Sequence, residues 1–504
     1  MSQNALRAAD PASPEVMGKR AWWLVGLNIL VPGSAQTLAG NRRFGRFAMG
    51  LSILFWFLVA VAILAGLVLR GQLLLLLANP IVLWALAVVL GLYGLLWVVC
   101  TLDTLRLARL VRVRPASRAG VAMLAIVALV ATGGAAFAGA VYAGRAAKVL
   151  AEVGSNTIQI IGPDGKPIQV GPFAGSANVL LVGSDSGDGN PAYGERGEAL
   201  NDVTILIHLS TASQSATAVS IPRDLYVGQP ACRKPDGTTA PAVQQARFNT
   251  ALSRGGLSCV VAAAQQLTGL TIPYAALVQF DGVVAMSDAV GGVTVCLAAP
   301  IDDPYTGLKL PAGANTLQGQ TALSFLRTRH GLSTGSDLQR ISNQQVFLSA
   351  LVRQITSGGT LSDPNRVLGL ADAAAKNMQL STQLGQTGTL VSMALALKGI
   401  PLDRIAFVQY PSAPTYINGQ SVTKPITGDA AVLTEALKAD KAVAAGGLGG
   451  AAVSNPTPTT SPSKSGSASP SPTPTGAAGQ APVKLPSTVS GQSAQQQTCS
   501  AGKG

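Results

Sequence analysis

The stretch Val203-Thr204-Ile205-Leu206-Ile207-His208-Leu209 sets Val, Ile and Ile against Thr, Leu and His in alternation. Successive side chains of a strand point to opposite faces, so this is the pattern of a β-strand with two unlike faces. Further strand signals occur at Asn178 to Val182, Ala216 to Ile221, Tyr274 to Phe280, Val293 to Leu297 and Ile405 to Gln409. Helical periodicity fits Val260 to Leu267, Gly282 to Ala289, Gln318 to Leu326, Leu338 to Ile355 and Gly385 to Leu397. Strands interleaved with helices predict an α/β unit over residues 175–440, its sheet covered on both faces. Before it, Ser155 to Val170, with the turn Pro163-Asp164-Gly165, reads as a small hairpin within a juxtamembrane segment, 145–174. After it, from Gly446, the chain turns to Gly, Ala, Ser, Pro, Thr and Gln with almost no large apolar residue. Residues 446–504 are therefore expected to be a disordered tail.

The chain has 504 residues, 48% of them hydrophobic and only 12% charged. That charge fraction is about half the usual one for soluble domains and points to membrane segments. Three uncharged apolar runs, 47–69, 80–102 and 119–144, are long enough to cross about 30 Å of hydrocarbon. Residues 21–40 are apolar only as far as Val31 and are then broken by Pro32, Gly33 and Ser34, so they read as re-entrant.

Charge sets the orientation. Of 36 Lys/Arg, 13 fall in the first 145 residues, against only three of the 23 Asp/Glu. The net charge of +13 is therefore concentrated around the membrane segments, and a nucleic-acid partner is not expected. The positive-inside rule places Lys19/Arg20, Arg42/Arg43/Arg46 and the run Arg106 to Arg118 in the cytoplasm, with residues 1–20. Three crossings then leave everything after Gly144 outside the cell. In that oxidising setting Cys232 and Cys259, which flank a segment with Pro, Gly and Lys, are disulfide candidates; the other reading leaves both free. Cys100 lies in a span and Cys499 in the tail, and Cys296, in an alternating run, is expected to be a small buried apolar residue.

Few charges remain in the α/β unit, and they cluster. Gly183-Ser184-Asp185 ends one strand and Asp202 precedes the next. Each alone fits a turn, and together they could offer hard oxygens to a divalent cation. Ile221-Pro222-Arg223-Asp224 brings a guanidinium to a sheet edge, where clefts form in α/β proteins. Arg327-Thr328-Arg329 precedes a Gly/Ser-rich loop, after which Asp337, Arg340 and Gln344 share one helix face, within roughly 60° of one another. Several Arg with two or three Asp describe a site for a polyanion and a divalent cation. The two His, His208 in a strand and His330 in a loop, do not describe a zinc site, and no Walker loop is present.

Seven motifs occur in order: Val182-Gly183-Ser184-Asp185; Asn201-Asp202; Ser220-Ile221-Pro222-Arg223-Asp224; Phe248-Asn249-Thr250-Ala251 with Gly255-Gly256; Ala289-Val290-Gly291-Gly292-Val293; Ala322-Leu323 with Arg327-Thr328-Arg329; and Asp337-Leu338-Gln339-Arg340-Ile341 with Gln344-Gln345. In this order the chain resembles LytR-CpsA-Psr proteins, over 178–356 and extending to about 410. The resemblance implies a three-layer α/β/α sandwich with a mixed central sheet, preceded here by the transmembrane helices. It implies an extracytoplasmic phosphotransferase that moves a cell-wall glycopolymer, such as wall teichoic acid or arabinogalactan, from polyprenyl pyrophosphate onto peptidoglycan. Mg²⁺ or Mn²⁺ would assist, and an apolar groove would hold the lipid. Carried over by motif position, Asp185 and Asp202 would be metal-linked, Arg223, Arg327, Arg329, Arg340 and Gln344 would grip the pyrophosphate, and Asp337 would position Arg residues or the acceptor. Two positions depart from the family pattern. Leu200 stands where an Arg usually precedes the second Asp, with Arg196 as the candidate substitute, and Asn343 stands where an Arg often precedes the paired Gln. The Ala/Gly-rich, Lys-poor composition fits an actinobacterial member.

The partners implied are a polyprenyl-pyrophosphate-linked glycopolymer, peptidoglycan and membrane lipids. Two other readings use the same arginines: hydrolysis of polyprenyl pyrophosphate by water, and non-catalytic binding of a lipid-linked glycan by a regulator. The topology is tested by a reporter fused after Gly144. It should be active only outside the cell, and activity confined to the cytoplasm would invert the orientation.

Overall fold

The computed structural model describes residues 13–162, 165–171, 173–185, 199–357, 363–454 and 481–503. The chain divides into two compact units, Met1–Ala151 and Glu152–Gly504.

The first unit is helical. Three segments are long and apolar enough to cross a membrane: Arg42–Val68, Pro80–Arg112 and Pro115–Ser155. The helix preceding them begins at Pro14, capped by Ser13, so it starts inside the stretch expected to be a cytoplasmic terminus. It ends at Leu30; Gly33 then takes φ +99° before a short helix, Ser34–Ala39. Met17, Ala21 and Val25 pack on Ala108, Val121 and Ala125. The side-chain N–H groups of two buried amides here reach the helix Pro80–Ala108: the Asn28 amide donates to the Thr101 hydroxyl at 3.2 Å, and the Gln36 amide donates to the Thr104 hydroxyl at 2.9 Å. Interhelical bonds of this kind make buried amides tolerable in an apolar medium. Phe47, Trp56, Phe57 and Leu64 meanwhile stay more than half exposed, an apolar surface that bilayer would cover.

The second unit is built around two larger sheets, beside several two-stranded ribbons. In chain order its strands begin with β1 (Thr157–Ile158), β2 (Ser176–Ser184), β3 (Asn201–Ser210), β4 (Ser215–Ser220) and β5 (Tyr274–Val278). They continue with β6 (Val293–Leu297), β7 (Gly313–Leu317), β8 (Met378–Ser381) and β9 (Ile405–Gln409), and end with β10 (Ala452–Ser454), β11 (Gly491–Ser493) and β12 (Thr498–Ser500). The longer helices are α1 (Leu257–Thr268), α2 (Phe280–Ala289), α3 (Gly319–Arg327), α4 (Asp337–Ser357), α5 (Pro364–Asn377), α6 (Thr387–Lys398) and α7 (Thr427–Lys438).

The large, eight-stranded sheet is ordered β1-β8-β5-β2-β3-β4-β9-β11. It is mixed: β3 runs antiparallel to both β2 and β4, whereas β5 runs parallel to β2 and β9 parallel to β4. The alternation of β3 splits its core. Leu206, with Leu180 and Val219, faces Val260 and Val261 of α1 and Leu433 and Leu437 of α7. Ile205, Ile207 and Leu209 face the other way, toward Leu348 and Val352 of α4, Ala375 of α5 and Met393 of α6. This is the expected three-layer α/β/α sandwich. The small sheet, β7-β6-β12-β10, contributes Val293, Val295 and Leu317 to a third cluster with Phe325 of α3 and Phe347 of α4. Gly291 and Gly292 take φ +80° and +85°, a turn from α2 into β6 that side chains with a Cβ resist.

Three sequence expectations are corrected. Cys296 is not a solitary buried thiol but is bonded to Cys499, alongside the expected Cys232–Cys259 disulfide. The chain end is not a featureless tail: β11 lies antiparallel on β9, and β12 lies parallel to β6. Composition hid this because only a few apolar residues, Leu485, Val489 and Ala494, anchor the segment in the core, and polar ties hold the rest. The Gln492 amide donates to the Gln345 carbonyl at 2.9 Å and the Ser349 hydroxyl at 2.7 Å, and Arg353 donates to the Ala494 and Gln496 carbonyls at 2.8 and 2.9 Å. The rest of the expected tail, 455–480, lies outside the described residues. In the expected hairpin, Thr157–Ile158 joins the large sheet beside β8, and a single bridge, Ile161 to Pro167, closes the turn; Pro163 and Asp164 lie outside the described residues.

A cross-link spanning 203 residues restricts the unfolded chain strongly. Replacing Cys296 and Cys499 together by Ser should cost roughly 3–5 kcal/mol and abolish the reductant sensitivity of Tm assigned to this bond. An unchanged Tm would show that the polar ties suffice.

Candidate active site

The site starts where β2 and β3 end side by side. Their register shifts between Gly183 and Ser184, and Ser184 pairs with Asn201. Asp185 and Asp202 therefore leave adjacent strand ends. The Asp185 N–H donates to the Leu200 carbonyl at 3.1 Å, and its Oδ1 accepts from the Leu200 N–H at 2.8 Å. Leu200, in the position where the family usually has Arg, thus serves through its backbone. Asn201, fully buried, accepts from the Leu252 N–H at 3.1 Å and ties this edge to the segment after Phe248-Asn249-Thr250.

Asp202 is the centre of an ion-pair network. Its Oδ1 lies 2.6 Å from Arg223 Nη1, and its Oδ2 lies 3.8 Å from Arg340 Nη1. Arg340 Nη2 also donates to the Asp202 carbonyl at 2.9 Å and meets Asp337 Oδ1 at 2.6 Å. Arg223 Nε stands 3.6 Å from Asp337 and 3.8 Å from Asp224, and Asp224 is also 3.4 Å from Arg247 Nη1. Burial works against the charge on Arg223, but Asp202, Asp337 and Asp224 outweigh it and raise its pKa above the ordinary value. Arg329 is the opposite case. Burial, then the neighbouring charges of Arg223 and Arg340, hold its pKa below the ordinary value, although it remains a cation at neutral pH. It makes no ion pair among the described residues.

The Nε–H groups of Arg223, Arg329 and Arg340 are buried without a hydrogen-bond partner among the described residues. Such donors are uncommon in a native fold and call for an acceptor. Beside them opens a cavity of about 230 Å³. Asp202, Arg327, Arg340 and Gln344 line its polar part, and Leu181, Val278, Phe280, Phe347 and Leu351 are among its apolar lining. Arg327 lies over the Phe280 ring at 4.4 Å, and the Gln344 amide donates to the Leu326 carbonyl at 2.9 Å. An anion-binding mouth on an apolar chamber suits an amphiphile with a charged head.

The structure therefore brings together Asp202, Arg223, Asp337 and Arg340 directly, sets Arg329 within reach of their charges, and puts Arg327 and Gln344 on the same cavity as Asp202 and Arg340. Asp185 sits on the neighbouring strand end. Arg196 lies outside the described residues. His330 is an exposed loop residue, as expected. Asn343 is fully buried, donating to the Phe325 carbonyl at 3.0 Å, and adds no charge contact.

One important residue escaped the sequence: Asp303, 1% exposed. Its carboxylate accepts from the Thr328 hydroxyl at 2.5 Å and the Arg329 N–H at 3.2 Å. Burial would raise its pKa, but bonds from the Thr328 hydroxyl and from the Tyr305, Arg329 and Gly331 amides hold it below the carboxylate range. Its signal is period two, since Ile301 and Asp303 share a strand face and the first is plainly apolar. No group of three His, Cys, Asp or Glu able to hold a metal occurs among the described residues. Asp185 and Asp202 still suit Mg²⁺, which commonly takes one or two carboxylates and fills its shell with substrate phosphate and water.

The fold is thus an α/β/α sandwich with arginines at the mouth of an apolar cavity. The LytR_cpsA_psr family matches residues 153–439, and the chain belongs to that family. It is 36% identical over 276 residues to the cell wall biosynthesis protein LcpA of Corynebacterium glutamicum, covering 49% of this chain and 52% of that protein. It is 33% identical to the probable cell wall biosynthesis protein LcpB of the same organism, covering 46% and 54%. It is 24% identical to the polyisoprenyl-teichoic acid–peptidoglycan teichoic acid transferase TagT of Bacillus subtilis, covering 49% and 72%. The chain thus spans about half the length of the first two relatives.

Arg340 and Asp337 are 5% and 6% exposed, and without Arg340 the buried Asp337 carboxylate keeps only the longer, 3.6 Å contact to Arg223 Nε. Arg340→Ala should cost about 3–5 kcal/mol of stability, and the pair Arg340→Met with Asp337→Leu should recover much of it. Equal denaturation midpoints for Arg340→Ala and the parent would show the pair to be solvated.

Proposed function

We propose that this chain is a membrane-anchored phosphotransferase that moves a glycopolymer from a polyprenyl-pyrophosphate carrier onto peptidoglycan at the outer face of the membrane. The observation that carries it is the set of buried, unpartnered Nε–H donors on Arg223, Arg329 and Arg340 beside an apolar cavity. A diphosphate offers acceptor oxygens to those donors, and a prenyl chain matches the chamber. Family membership and the name of the TagT relative support the same substrate class. Both disulfides fit an oxidising exterior, and the three apolar helices fit a multi-pass anchor. Anchoring would raise the effective concentration of a lipid-linked donor.

In this reaction an acceptor sugar hydroxyl forms a bond to the glycan-side phosphorus while the P–O bond to polyprenyl phosphate breaks. The hydroxyl proton passes to solvent or to the departing phosphate, so no covalent protein intermediate is needed. Arg223, Arg327, Arg329 and Arg340 would hold the diphosphate and stabilise charge gathering on its bridging and non-bridging oxygens, with Gln344 at the cavity wall. Asp337 would orient Arg223 and Arg340. Asp185 and Asp202 would hold Mg²⁺ or Mn²⁺, which supplies further neutralisation of the phosphates.

Arg329 gives the cleanest test because it makes no ion pair among the described residues, Asp337 and Asp224 acting on it only from a distance. Arg329→Ala relieves repulsion from Arg223 and Arg340, so Tm should hold or rise, while transfer of a lipid-linked saccharide to peptidoglycan fragments falls roughly 100-fold or more. Undiminished transfer would overturn the assignment. Release of saccharide phosphate without a phosphodiester-linked product would favour hydrolysis.

A further inference from the structure

Tyr305 stands at the tip of a hairpin whose strands, Ile301–Asp303 and Leu308–Leu310, pair in antiparallel register. Its side chain is 78% exposed. It does not hang freely: its ring centroid lies 4.1 Å from that of His330, tilted by 32°, so one face is covered and the other is open. The backbone beneath it is also fixed. The Asp303 carboxylate accepts from the Tyr305 N–H at 3.0 Å with one oxygen, and from the Thr328 hydroxyl and Arg329 N–H with the other. One buried carboxylate therefore holds the backbones of Tyr305 and Arg329 in a set relation.

We propose that the Tyr305–His330 pair is a stacking platform for a pyranose ring of the glycan substrate, next to the arginine site. A pyranose presents a face of C–H groups that packs on an aromatic ring, while its rim of hydroxyls stays hydrated. A large aromatic side chain ordered before binding loses little entropy when a sugar settles on it. Its position beside Arg329 follows the order of groups in the donor, in which the first sugar is joined directly to the diphosphate. An acceptor saccharide meeting the same phosphorus could present the same chemistry, and the platform serves whichever of the two reaches it. The platform rests on the transferase assignment only in its choice of substrate, because an aromatic shelf for sugar can be measured without any phosphate.

The experiment uses the full-length protein in detergent micelles and three probes: a prenyl pyrophosphate without sugar, the same prenyl pyrophosphate bearing N-acetylglucosamine, and a soluble peptidoglycan disaccharide. Tyr305→Ala should weaken at least one sugar probe roughly tenfold, leave the sugar-free probe unchanged, and be rescued by Tyr305→Phe. The probe that weakens identifies donor or acceptor. Parental affinity of Tyr305→Ala for both sugar probes would overturn the platform, and so would failure of Tyr305→Phe to restore binding. If the parent protein binds the disaccharide through Tyr305 but no prenyl pyrophosphate, the transferase assignment fails and the platform stands.

Discussion

Asp202 is held by two arginines that come from different parts of the chain. Arg223 follows β4, and Arg340 lies in the first turn of α4, where it also meets Asp337. The start of β3, the exit of β4 and the start of α4 are thus fixed to one another by charge. Taking these groups out of water costs several kcal/mol per ion, and their attraction roughly repays it, so the network is a poor source of stability. Its effect is geometric. It holds guanidinium groups where unpaired arginines would spread apart, and it leaves the Nε–H groups of Arg223, Arg329 and Arg340 without a hydrogen-bond partner among the described residues.

The helix carrying Arg340 and Gln344 is fixed from its other side by the end of the chain. Asn343 donates to the Phe325 carbonyl and accepts from the Ser500 hydroxyl at 2.5 Å. Gln492 reaches the Gln345 carbonyl on the same helix, and the Cys296–Cys499 bond fastens this segment to β6. Asn343 is thus a buried amide that ties α4 to the C-terminal strand β12 and supports the helix that bears Arg340 and Gln344.

The legible parts of the sequence were those whose physics is periodic or scarce. Val293–Leu297 and Ile405–Gln409 were bounded to the residue because short apolar runs between turn residues have few other solutions. The site was legible because charge is rare in this chain, so each Arg or Asp in the α/β unit stood out. Pro364–Asn377 and Thr427–Lys438 were not read as helices, because Ala, Gly and Thr mark no sharp apolar stripe. The terminal strands are three residues long and mostly polar, and their order depends on partners hundreds of residues away. Asp303 was hidden for a related reason: Ile301-Asp302-Asp303 has the composition of a turn, and only its pairing with Leu308–Leu310 turns the second Asp inward.

The choice of arginine over lysine follows from the neighbourhood of the cavity. A cation beside apolar walls is desolvated, and a buried ammonium readily sheds its proton. Arginine tolerates the same burial: Arg329 is pushed down by burial and by two like charges, yet its guanidinium stays protonated. Low polarity around the mouth also strengthens every contact an anion makes there. The apolar chamber and the cationic mouth therefore reinforce each other, because the walls that would receive a hydrocarbon chain are also what make the arginines effective on its charged head.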